Sequence, residues 1–159
     1  AAVIAAREKL SLSSDLLSDT APLNGLIAGI LQVSPHVHCM RDATRGGLGA
    51  ILAEIAQAAQ MRIDIDEKNM PIQDNVRGIC EILGFDPLYL ANEGKIVVFC
   101  AESDARTVLQ TMQQHPYGRN AALIGRFGSS TPGRVVLKTI IGGERIIDLP
   151  TGELVPRIC

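Results

Sequence analysis

After Thr44, apolar residues recur at spacings of three and four, so that Leu48, Ile51, Leu52, Ile55 and Ala59 fall on one side of a helical wheel. That spacing predicts an amphipathic helix whose stripe faces a core. Residues 75–84, NVRGICEILG, return to helical spacing and stop at Gly84, a natural left-handed C-terminal residue. Residues 102–115, ESDARTVLQTMQQH, predict another helix, with acidic side chains in the first turn where the helix dipole favours them. Earlier in the chain, residues 1–10 favour helix and the Ser- and Asp-rich stretch 11–21 breaks it. Pro22 then suits the first turn of a helix running through Gln32. Strand signals differ in period: MRIDID at 61–66 alternates apolar with polar, and KIVVFCA at 95–101 is a β-branched run that predicts a buried strand. In the last third, AALIGRFG, RVVLKTII and GERIIDL are separated by Gly, Ser, Thr and Pro, which predicts antiparallel hairpins. The pattern as a whole is α+β, a mixed or antiparallel sheet with helices packed on one face.

Composition narrows this. The chain has 159 residues, 47% apolar and 20% charged, enough for one globular domain with an ordinary core. A formal charge of -2, a pI near 5.9 and the lack of any basic run argue against nucleic acid as a partner. No apolar stretch approaches the roughly 20 residues that cross a bilayer, and no secretion signal opens the chain, so no membrane is expected and the cytoplasm is. The four cysteines, Cys39, Cys80, Cys100 and Cys159, lie far apart without a C-x-x-C pair, which fits reduced thiols better than a disulfide framework or a zinc ribbon. The opening, without Met and already helical in pattern, predicts a piece of a longer protein whose N-terminal part precedes residue 1.

Four stretches could carry chemistry. In RDATRGGLGA, 41–50, Thr44 suits the N-cap of the following helix, and Gly46 with Gly47 would leave backbone N–H groups uncovered for an anion such as phosphate. The spacing is not that of a Walker loop, and the glycines serve equally if helix and sheet pack tightly there. In ANEGK, 91–95, Glu93 precedes a strand and could accept a proton, or be an ordinary turn carboxylate. HVHC, 36–39, gathers two imidazoles and a thiol without an evident fourth metal ligand, and is expected to be a loop leading into the helix. Cys80 and Cys100 sit in apolar runs as core residues would. The fourth stretch is the end, LPTGELVPRIC: Pro150, Gly152 and Pro156 disfavour regular structure, and Leu149 to Cys159 could span roughly 35 Å. Arg157 favours the Cys159 thiolate while the adjacent carboxylate opposes it. Cys159 is too near the terminus for a prenylation signal. The plainer reading is a frayed terminus with a chance cysteine.

These stretches together, MRDATRGGLGAILAEIA, NMPI, VRGICEILGFDPLYLANEGKIV, SDTAPLN and the terminal PRIC, resemble the C-terminal half of the HypE family of hydrogenase maturation factors. That family lies within the larger aminoimidazole-ribotide-synthetase-like (PurM-like) superfamily. The resemblance covers essentially the whole chain and implies a PurM-like C-terminal domain at 22–148. Residues 1–21 would be the remnant of a passage from an absent N-terminal ATP-binding domain, and 149–159 a flexible tail. It further implies an ATP- and Mg²⁺-dependent carbamoyl dehydratase. A carbamoyltransferase, HypF, loads the Cys159 thiol, and the carbamoyl group is dehydrated to a thiocyanate. The cyano group then passes to the iron of a nickel-iron hydrogenase on a HypC–HypD scaffold. Glu93 would handle the amide protons, and Asp42, Thr44, Arg45, Gly46 and Gly47 would lie on the nucleotide side of the cleft, with no resident metal site of their own. A homodimer is implied for the full-length form, and a chain without the nucleotide domain is expected to be inactive alone. A non-catalytic carrier presenting a modified thiol, or another ATP-dependent enzyme of the superfamily, are the competing readings.

Overall fold

The computed structural model describes residues 18–150. Four helices, α1 (Asn24–Val33), α2 (Gly47–Ala59), α3 (Asp74–Leu83) and α4 (Glu102–Gln114), are joined by six strands: β1 (Val37–Asp42), β2 (Arg62–Asp66), β3 (Ile96–Cys100), β4 (Gly125–Gly128), β5 (Val135–Lys138) and β6 (Glu144–Ile147). The α+β class follows from the pattern, with differences that have physical causes. The strands form two sheets, an antiparallel ribbon β1–β3 and a mixed sheet of order β4-β2-β5-β6. β2 pairs antiparallel with β4 and parallel with β5, so β4 and β5 are not a hairpin; only β5–β6 among the last three strands is one.

HVHC is not a loop. Val37, His38 and Cys39 open β1, whose register against β3 slips between Val37 and Cys39, leaving His38 at a bulge that breaks the alternation a strand would show in sequence. Pro22 lies just outside α1 rather than in its first turn, since the N-cap is Leu23.

The β1–β3 ribbon lies between two apolar clusters. Ile96, Val98 and Cys100 pack with Val37 and Met40 against Leu26 and Ile30 of α1 and Val108 of α4. Val97 and Phe99, on the other side of β3, pack against the main core of Leu52, Ala53 and Ala56 from α2, Ile63 and Ile65 from β2, Val135 and Leu137 from β5, and Ile147. An apolar run with both faces occupied explains why IVVFC does not alternate. Phe99 also meets Phe127 of β4, ring centroids 5.5 Å apart, which ties the ribbon to the mixed sheet. A smaller cluster of Cys80 and Leu90 with Val76, Leu83 and Phe85 seats α3, which ends at Gly84 in the left-handed region (φ +70°) as its pattern predicts.

Candidate functional site

At one end of the β1–β3 ribbon, Asp42 and Ile96 are register partners, so the loop leaving β1 and the loop entering β3 emerge side by side. The Asn92 N–H donates to the Ala43 carbonyl at 2.9 Å, and Ala43 is buried. That bond joins the DATRGG loop to the ANEGK loop. Within the second loop, Lys95 Nζ donates to Asn92 Oδ1 (2.7 Å) and Asn92 Nδ2 donates to the Leu90 carbonyl (2.7 Å), so Asn92 splints the turn in three directions.

The side chains at this corner differ in exposure. Asp42, Thr44, Arg45 and Glu93 are exposed, Gly46 is half-buried and Gly47 is buried. Thr44 does not cap α2: the N-cap is Gly46, without a side-chain cap bond, and the Thr44 hydroxyl donates to Asp42 Oδ1 at 3.0 Å. Thr44 stands two residues before the N-cap position: Arg45 and the left-handed Gly46 (φ +68°) lie between it and Gly47, the first residue of α2, which is left-handed as well (φ +65°). The glycines answer to packing. A Cβ on Gly47 would strike the carbonyls of Leu88 and Leu90, and one on Gly49 would strike the Tyr89 ring, so α2 enters flush against the turn Pro87–Tyr89. Tyr89 in turn donates from its hydroxyl to the Asp148 carbonyl at 2.7 Å, fixing the chain just past β6. For an anion, what this corner offers is the N-terminus of α2, with Arg45 exposed in the loop that leads into it.

A third segment completes the corner. Thr20 Oγ1 donates to Glu93 Oε2 at 3.3 Å, the Glu93 N–H donates to Asp19 Oδ2 at 3.2 Å, and the Asp19 carbonyl lies where a Cβ on Gly94 would be. Neither Asp19, Thr20 nor Asn92 stands out in the sequence by spacing; the signals are that SDT and NEGK are rich in turn-forming polar residues and that both lie in stretches that carry the family resemblance.

The remaining candidates go elsewhere. His36 Nδ1 lies 3.0 Å from Asp104 Oδ2, whose carboxylate also accepts from the Ser34 hydroxyl (2.7 Å) and, on Oδ1, from Ser103 (2.8 Å). Bonds from Ser34, Ser103 and His36 hold the Asp104 carboxyl down to about 2. Burial pushes the Cys80 thiol up, and burial with the nearby Asp104 charge does so for Cys100, so both stay protonated core groups rather than nucleophiles. Among the described residues no three His, Cys, Asp or Glu side chains are gathered closely enough to hold a metal ion. Cys159 lies outside the described residues.

Layered helices over a mixed sheet, with two polar loops meeting at the mouth of a ribbon, define an α+β domain of the PurM-like C-terminal type. The family described as "AIR synthase related protein, C-terminal domain" matches residues 1–138, and the chain belongs to it. Over 159 residues the chain is 46% identical to the carbamoyl dehydratase HypE of Rhodobacter capsulatus, all of this chain matching 47% of that protein. A crystal structure of the hydrogenase maturation protein HypE in complex with ATP superposes with a TM-score of 0.92 at 37% identity, covering 99% of this chain and 48% of that one. A HypE–HypF complex superposes with a TM-score of 0.87 at 39% identity, covering 93% of this chain and 48% of that one. The chain thus spans about half the length of the relatives it matches. Among the described residues no helix is long and apolar enough to cross a membrane.

Proposed function

We propose that this chain is the C-terminal domain and tail of a HypE-type carbamoyl dehydratase acting in the cytoplasm in hydrogenase maturation. The observation that carries the reading is the junction of the two family motifs. The Asn92–Ala43 bond puts an exposed carboxylate, Glu93, beside the DATRGG loop. Identity of 46% over 159 residues with a carbamoyl dehydratase, and a HypE–HypF complex among the similar structures, support the activity and the loading partner.

In this reading Cys159 carries the substrate as a thioester-like carbamoyl group, S–C(=O)–NH₂. Dehydration breaks the C–O bond, removes both N–H protons and leaves S–C≡N, with the cyano group handed on to iron on a HypC–HypD scaffold. An amide oxygen is a poor leaving group as hydroxide, and a bound nucleotide supplies the phosphoryl group that makes it a good one. Arg45 and the α2 N-terminus bear on the anionic side of that event, with Asp42 and Thr44 flanking. Gly46 and Gly47 let the helix start there, and a Mg²⁺ that neutralises phosphate belongs to the other half of the protein. Glu93 accepts an amide proton: it is exposed, on a splinted loop, and its carboxylate is acceptor-only when ionised. The full-length form acts as a homodimer, and the domain spans 22–148 with 149–159 as the arm that brings Cys159 to each site.

The test uses the full-length parent with HypF, carbamoyl phosphate and ATP, following the C-terminal peptide by mass spectrometry. A thiocyanate mass appears on the native protein and is lost in Cys159→Ala. Glu93→Gln accumulates the carbamoyl form without dehydrating it. Thiocyanate at the native level in Glu93→Gln removes Glu93 from the chemistry; modification unchanged in Cys159→Ala removes the assignment.

A further inference from the structure

We infer that Asp19 and Thr20 are positioning residues for Glu93, clamping its carboxylate and its backbone so that one oxygen is anchored and the other is left to take a proton. This rests on the reading of Glu93 as a base. An exposed glutamate has several rotatable bonds and, untethered, spreads over many rotamers, which degrades any reaction that needs a donor and acceptor within hydrogen-bond reach. Here the spread is cut at two points. The backbone is held where the Glu93 N–H donates to Asp19 Oδ2 (3.2 Å), and the side chain is held where Thr20 Oγ1 donates to Oε2 (3.3 Å).

The direction of these bonds is fixed by chemistry. A carboxylate only accepts, so the Thr20 hydroxyl proton goes to Glu93, and the Ser18 hydroxyl, 3.1 Å from Thr20 Oγ1, then donates to Thr20. The Thr20 N–H donates back to Ser18 Oγ at 3.3 Å, making the segment a closed local turn rather than a strand end that happens to pass by. Glu93 Oε1 has no protein donor among the described residues, so it is the oxygen available to substrate. Gly94 lets the clamp lie flat: a side chain there would displace the Asp19 carbonyl from the loop.

The experiment is single-turnover dehydration in the full-length parent, carbamoylated beforehand on Cys159, with thiocyanate formation timed by mass spectrometry at several ATP concentrations. Thr20→Val and Asp19→Ala slow the first-order step by at least about tenfold, the loss expected of one hydrogen bond to a charged group or its backbone. Their ATP dependence, carbamoylation and melting temperature stay native. Thr20→Ser and Asp19→Asn, which keep a donor and an acceptor in place, restore the rate. Should Thr20→Val not fold, Asp19→Ala against Asp19→Asn decides on the same criterion. Native rates in Thr20→Val and Asp19→Ala, while Glu93→Gln is blocked, overturn the clamp and leave Glu93 as the base. Native dehydration in Glu93→Gln overturns both. Rate losses matched by equal losses in melting temperature, or unrescued by Ser and Asn, make the segment merely structural and overturn the clamp as well.

Discussion

Gly47 and Gly78 lack the same side chain for unrelated reasons, and alanine separates them. At Gly47 the backbone is left-handed and a Cβ would strike the Leu88 and Leu90 carbonyls, so Gly47→Ala destabilises by about 3 kcal/mol. Gly78 sits inside α3 with nothing within 4 Å of a Cβ, so Gly78→Ala stabilises by about 0.5–1 kcal/mol through helix propensity. Urea unfolding of the two variants checks both signs, and destabilisation by Gly78→Ala means that a methyl group at this position is not accommodated freely. The two positions also show what a sequence can say about glycine. RGGLG advertises conformational freedom, but whether that freedom serves an anion or a neighbouring carbonyl depends on Leu88 and Leu90, some forty residues on. Thr44 is parallel: its residue type suits a cap, and only the two left-handed glycines after it show that its hydroxyl is spent on Asp42 instead.

Between elements, the joint that binds the end of α1, the start of β1 and the start of α4 is electrostatic. Ser34, buried at the C-cap of α1, and His36 both bond Asp104 in the first turn of α4, and the Ala101 N–H donates to the His36 carbonyl at 3.0 Å. Asp104 has its folded-state pKa below the ordinary carboxylate value of 3.8. Its contribution to stability is therefore fully present above that value and is lost as pH falls from there through about 2. Unfolding free energy measured from pH 5 to pH 2 falls for the native chain, and Asp104→Asn flattens that part of the decline; an unchanged slope in Asp104→Asn means the joint does not depend on the charge. The helices that meet at this joint were legible in sequence, α1 from Pro22 at its entry and α4 from the acidic residues of its first turn. β1 was not, since VHCMRD has a bulge at His38 in place of alternation. The order β4-β2-β5-β6 was equally hidden: local patterns announce strands, and the insertion of β2 between β4 and β5 depends on which apolar faces close one core. Both loops of the candidate site could be picked out as motifs, whereas the Asn92–Ala43 bond and the grip of Asp19 and Thr20 join residues too distant for any spacing rule.

At the scale of the whole molecule, the proposed function gives this domain one edge of the nucleotide site and leaves the rest to the other half of the protein. Calorimetric titration with ATP therefore gives measurable binding to the full-length parent and none to this 159-residue chain at comparable concentrations; equal affinity in the two places the nucleotide site in this domain. The mixed sheet has a consequence of its own. β2 is an interior strand, yet both of its neighbours, β4 (Gly125–Gly128) and β5 (Val135–Lys138), follow it by about sixty to seventy residues. While the chain is being synthesised, Ile63 and Ile65 wait on a strand with both edges open, since no earlier segment among the described residues pairs with β2 in the folded domain. Pairings of such long sequence separation form slowly. Ribosome-released chains ending near residue 120 are thus poised to aggregate through those open edges, and the second edge of β2 is closed to mispairing only when β5 docks.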